Sequence, residues 1–105
     1  MKDLRIKVVQ VKGNCMVYRE GDVIYLDKGY SMNLEKTDAV CMHSLASILP
    51  YHLPLSFGVK PGQLGLAGKD GDGRKAYVQC LDPCERTGGG TAVFEIDIID
   101  RPETA

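Results

Sequence analysis

The sequence has no tryptophan, two phenylalanines and five tyrosines. So few aromatics leave little material for a platform on which bases could stack. Positive charge is not in surplus either: thirteen Lys and Arg stand against fourteen Asp and Glu, for a net charge of −1. A phosphate-reading surface usually shows as clustered basic residues, and the sequence has no dense Lys/Arg run, so nucleic acid is not an expected partner. Long apolar runs are also missing. The longest falls far short of the roughly 20 residues that cross a bilayer, so no membrane association is expected. The opening "MKDLRIKVVQV" lacks the apolar core and small-residue cleavage site of a signal peptide. These absences point to a cytoplasmic protein, where the four cysteines are expected as thiols or metal ligands rather than disulfides.

What is present suffices for a fold. A chain of 105 residues, 44% hydrophobic and 26% charged, fits one domain over residues 1–105 with a polar tail at about 100–105. Such a chain buries roughly two thirds of its unfolded surface and needs no metal or disulfide to fold. "RIKVVQVK" (Arg5 to Lys12) reads as a strand: Ile6 and Val8 share one phase, Val9 and Val11 the other, which predicts burial on both sides over part of its length. "GDVIYLD" (Gly21 to Asp27) is a second strand in hairpin connection with it. Residues 28–40 read as loop with a short extended piece. From Cys41 the period becomes helical through Leu45, Ile48 and Leu49, but Pro50 limits that helix to about two turns and Pro54 disrupts the next. A proline-kinked pair of short helices ending at Gly58 is expected. Residues 59–75, rich in Gly and charge, read as a mobile loop. "KAYVQC" (Lys75 to Cys80) and "TAVFEIDII" (Thr91 to Ile99) form a final antiparallel hairpin across the turn-rich "LDPCERTGGG". The expected class is α+β, with a small antiparallel or mixed sheet that can curl toward a partial barrel.

Chemistry can sit at Cys15, Cys41, His43, Cys80 and Cys84. Cys15 follows the first strand, Cys80 ends the third, and Cys41 opens the helical segment, where unpaired N–H groups favour a thiolate. Such positions often share one edge of a small α+β fold. If Cys15, Cys41 and Cys80 converge near His43, three thiolates and an imidazole can hold zinc, or thiolates an iron–sulfur cluster. The spacing is not that of a zinc knuckle: Cys41-x-His43 is tighter than usual, and Cys80-x3-Cys84 encloses a proline. The same thiols can act as a redox-sensitive site, and a local Cys80–Cys84 disulfide under oxidation is one form of it. Cys41 with His43 is a poor nucleophile–base pair, because residues two apart on a helix face different ways. His52 is an alternative base, but no Asp or Asn is placed to orient either histidine, and whether the protein is an enzyme stays open. Opposed to all of these is a module whose cysteines are core residues and whose Pro50–Phe57 face docks on a second subunit as a homo-oligomer.

Two motifs are decoys. Asp70 and Asp72 suggest an EF-hand loop, but its fifth position would be Arg74, its turn glycine Lys75 and its twelfth residue Leu81. "TGGGT" (Thr87 to Thr91) is followed by a strand rather than a helix, so it reads as a flexible hairpin loop and not a phosphate cradle.

Taken together, "KVVQVKGNC", "EGDVIYLD", "CMHSLASILPY", "VQCLDP" and "GGTAVFEI" resemble a family of small bacterial and archaeal proteins of about a hundred residues and unknown function. The likeness spans Leu4 to Ile99, and "CMHSL…LPY" and "QCLDP" are its most specific parts. It implies that Cys15, Cys41, Cys80 and His43 are the recurrent positions and that Cys84 is not one. No activity follows from it.

Overall fold

The structure is a computed structural model that describes residues 1–101. Five strands form one open antiparallel sheet: β1 (Asp3–Gly13), β2 (Val23–Asp27), β3 (Ser31–Met32), β4 (Lys75–Gln79) and β5 (Gly90–Ile99), in the order β3-β2-β1-β5-β4. The α+β class is as expected, but the sheet does not close into a barrel: β3 and β4 remain its edges. Helix α1 (Met42–Ser56) crosses one face, a 3-10 turn (Pro61–Leu64) follows, and a short helix α2 (Cys84–Thr87) lies between β4 and β5. The segment read as mobile is thus partly ordered, and its Ala67 bridges to Ala76 on the β4 edge. Asp70 and Asp72, the calcium decoy, cap the backbone N–H groups of Asp72 and Arg74.

The two phases of β1 have a cause other than burial on both sides. Val8 pairs with Phe94 but Gln10 pairs with Val93, so the strand carries a bulge at Val9. An extra residue reverses the alternation beyond it. Leu4, Ile6 and Val8 therefore face the core before the bulge and Val11 after it, while Val9 is exposed. On the core face, side chains meet in rows across the strands: Ile24, Ile6, Ile96 and Ala76, then Val8, Phe94 and Val78. The opposite face is polar, with Arg5 paired to Asp97 at 2.9 Å and Lys75 to Glu95 at 3.5 Å. On that face Tyr77 donates to Glu95, and this bond pushes its phenol up to about 12.

Helix α1 runs through both prolines instead of dividing into two helices. Pro50 and Pro54 supply no N–H, so the carbonyls of Ala46 and Pro50 lose their helical donors. Both of those residues are exposed, where water can replace the donor. The opposite stripe, with Ser44, Ile48 and Leu55 buried, packs on the sheet and holds the segment together. Within the Pro50–Phe57 stretch Tyr51 and Leu55 join this packing and Ser56 is buried, whereas Pro50 and Phe57 are exposed.

The polar tail is anchored where it is described. Lys2 pairs with Asp100, and Arg101 donates to Asp3. The rest of the expected tail, residues 102–105, lies outside the described residues.

Candidate functional site

Along the core face of β5 the side chains shrink toward one end of the sheet: Ile98, Ile96 and Phe94 give way to Ala92 and then Gly90. Ala92 lies between Val11 on β1 and Cys80, whose N–H donates to the Ala92 carbonyl at 2.9 Å. The missing bulk leaves a cleft of about 200 Å³, and its lining includes Cys15, Tyr18, Cys41, His43, Cys80 and Ala92. The four residues singled out from the sequence therefore border one space. They come from three places: the end of β1, the start of α1 and the end of β4.

Glycines permit this approach. Gly13 ends β1 at φ 69°, and a Cβ there would collide with the Gly89 carbonyl. At Gly90 a Cβ would strike the Cys15 backbone nitrogen. "TGGGT" is thus a packed turn against the Cys15 loop, and not the flexible loop expected of it.

Each thiol has its own setting. Cys15 is half-buried, and its sulfur accepts the Tyr18 N–H at 3.3 Å. Cys80 is buried, and its sulfur accepts the Asp82 N–H at 3.4 Å. Cys41 is the N-cap of α1 and half-buried, and its side chain makes no cap bond. Its backbone is fixed by a closed ring of hydrogen bonds instead. The Cys41 N–H donates to the Tyr18 hydroxyl at 2.8 Å, and the Ser44 hydroxyl donates to the Cys41 carbonyl at 2.7 Å. Ser44 has a single hydroxyl proton, so across the 2.7 Å contact it is Tyr18 that donates to Ser44. Burial pushes the Tyr18 phenol above its ordinary value, against the pull of the bond it accepts from the Cys41 N–H, and keeps the donor proton in place. The Tyr18 ring meets Phe94 edge to face with centroids 5.3 Å apart.

His43 is exposed at the mouth of the cleft. His52 is not with it: its Nδ1 contacts the Gly29 carbonyl at 2.7 Å, a tie between α1 and the β2–β3 turn. Cys84 also lies apart from this cleft, and all four cysteines are free thiols.

Compared with known proteins, the chain matches no family model, no curated protein and no solved structure. The family resemblance of its motifs accordingly rests on those motifs alone. Sequence reasoning missed Tyr18 and Ser44, each three residues after a cysteine, and also Gly90 and Ala92, whose small size opens the cleft. The glycine run was the available signal.

Proposed function

We propose that the cleft is a redox-active thiol site, in which Cys41 reacts with a hydroperoxide and a second thiol of the same cleft completes a disulfide. The observation that carries this reading is the meeting of Cys15, Cys41 and Cys80 around one space of about 200 Å³. Cys41 is the attacking thiol, being partly open to solvent at a helix N-terminus. Its sulfur attacks the O–O bond; an S–O bond forms, and the leaving oxygen takes a proton and departs as alcohol. Cys15 or Cys80 then attacks the Cys41 sulfur of the sulfenic acid, forming the S–S bond and releasing water. His43, in the lining of the same cleft, would exchange the proton with solvent. Treatment of reduced protein with one equivalent of hydroperoxide, followed by peptide mapping, is expected to show two thiols lost and a disulfide that includes Cys41. Cys41→Ser should abolish that disulfide. Cysteine loss no faster than that of free cysteine, or spread evenly over all four thiols, would reject the reading.

A second reading has its own support. Met16, almost fully exposed, adds a thioether to the lining, and thiolate, thioether and imidazole are the donors that soft metal ions select. Three thiolates with His43 would suit zinc, and thiolates alone an iron–sulfur cluster. Among the described residues no three His, Cys, Asp or Glu side chains stand close enough to share one ion. Metal capture would therefore require three ligands to close on one point at once, whereas the redox step needs only two thiols to meet at a time, which is why redox chemistry is preferred. Metal analysis of protein purified without oxygen, beside Cys41→Ser, separates the two. Zinc, or iron with sulfide, bound to the native protein but not to the variant would favour the metal.

A further inference from the structure

A second cleft, of about 250 Å³, adjoins the first and shares Cys80 and Asp82 with it. Lys12 and Thr91 pair across β1 and β5 with their side chains on the sheet face opposite Ala92, and both line this second cleft. Cys84, at the start of α2, lines it as well, together with Glu85 and Arg86. Cys80 is thus the one thiol in the walls of both spaces. Cys84 is half-buried, and its N–H is shared between the Asp82 carbonyl at 3.0 Å and the Thr91 hydroxyl at 3.4 Å. Lys12 and Arg86 are exposed and take part in no ion pair among the described residues. Of the two acids on the cleft, Asp82 accepts the Thr87 hydroxyl and Glu85 is exposed.

We infer that the second cleft is the reductant site: it binds a small amino-acid-derived thiol bearing carboxylate and ammonium groups, which reduces the thiol cluster through Cys84 and Cys80. The inference rests on the redox reading of the first cleft. Lys12 and Arg86 take the carboxylates and Glu85 the ammonium. When Cys80 is half of a cluster disulfide, the Cys84 thiolate attacks the Cys80 sulfur. The Cys80–Cys84 bond forms, and the other cysteine leaves as thiolate. The small thiolate then attacks Cys84, releasing Cys80 as thiolate. A second small thiolate attacks the sulfur of the first, forming the small disulfide and freeing Cys84. Two electrons enter the protein and two small thiols leave joined, so the cluster returns to its starting state.

The probe is glutathione, with neutral 2-mercaptoethanol as the control at equal thiolate concentration. Peroxide-oxidised protein should be re-reduced by glutathione about tenfold more slowly in Cys84→Ser, and in the pair Lys12→Glu with Arg86→Glu. The charge-reversed protein should keep its rate with 2-mercaptoethanol, and an unchanged melting curve shows that it is folded. An unchanged glutathione rate in Cys84→Ser would overturn the inference, as would equal slowing of both thiols by charge reversal. A protein that forms no cluster disulfide defeats the redox reading, but the second cleft is still tested by the reverse reaction. Reduced protein with glutathione disulfide should give a mixed disulfide on Cys84 and then a Cys80–Cys84 bond, and a mixed disulfide confined to Cys15 or Cys41 would refute the site.

Discussion

Tyr18 links the thiol cleft to the core: its ring packs on Phe94, its N–H reaches the Cys15 sulfur, and its hydroxyl holds the Cys41 N–H. Removing that hydroxyl with Tyr18→Phe leaves a part-buried N–H without a partner, and Ser44 loses its donor. The expected cost is about 1–3 kcal/mol in urea unfolding. Because the ring stays in place, the fold should persist while Cys41 alkylates faster as its cap loosens. An unchanged alkylation rate would show that the bonded ring does not restrain Cys41. Ala92 offers the complementary test. It is almost fully buried between Val11 and Cys80, and Ala92→Val puts two methyl groups into the space the thiols share. Disulfide formation after hydroperoxide should then slow several-fold, with stability changed by less than the 1–3 kcal/mol or so typical of severe overpacking. Disulfide yield over time, measured beside a melting curve, checks both halves. The cysteines and His43 were legible because their chemistry is visible in a sequence. Tyr18 and Ala92 were not, because a tyrosine and an alanine acquire these roles only from what folding sets beside them.

Elements were legible wherever one period ruled. The alternation of β5 from Val93 to Ile99 matches its observed burial residue by residue. β1 misled because its two phases imitate a strand buried on both sides, whereas a bulge at Val9 changes the face. The prolines of α1 misled for a different reason. Local propensity ends a helix before Pro50, but packing of Ile48 and Leu55 against the sheet outweighs it. That reading predicts a gain on removing the conflict. Pro50→Ala restores a donor for the Ala46 carbonyl at an exposed position, so no cavity forms. Stability should rise, by up to about 3 kcal/mol if the helix needs no other adjustment. A thermal or urea melt measures this, and a loss of stability would mean that the kink itself serves the packing.

Taken as a whole, the molecule separates its chemistry from its fastening. The thiols gather where β1 ends and β5 begins, whereas the other end of the sheet is tied by Asp3. That carboxylate is nearly buried and accepts the Lys28 N–H at 2.8 Å, the Tyr25 hydroxyl at 2.9 Å and Arg101 at 2.5 Å. Burial alone would raise its pKa, but these three donors outweigh it and hold Asp3 below the usual carboxylate range. A group depressed on folding contributes stability above its unfolded value and loses it as pH falls through the folded one. Asp3→Asn should therefore cost about 1–3 kcal/mol at neutral pH, and that gap should close in acid, below about pH 4, as the native carboxylate is protonated. Urea melts of both proteins across the acid range test the sign, since a gap that widens in acid would contradict it. No helix among the described residues is long and apolar enough to cross a membrane.

The absence of tryptophan gives Tyr18 one more consequence. With no indole to dominate the near-ultraviolet spectrum, the signal there comes from tyrosines, and Tyr18 is the one that is buried and fixed against another ring. Its near-ultraviolet circular dichroism is therefore expected to change when Cys15 or Cys41 is oxidised, because its N–H and hydroxyl contact both residues, and spectra of reduced and peroxide-treated protein check this.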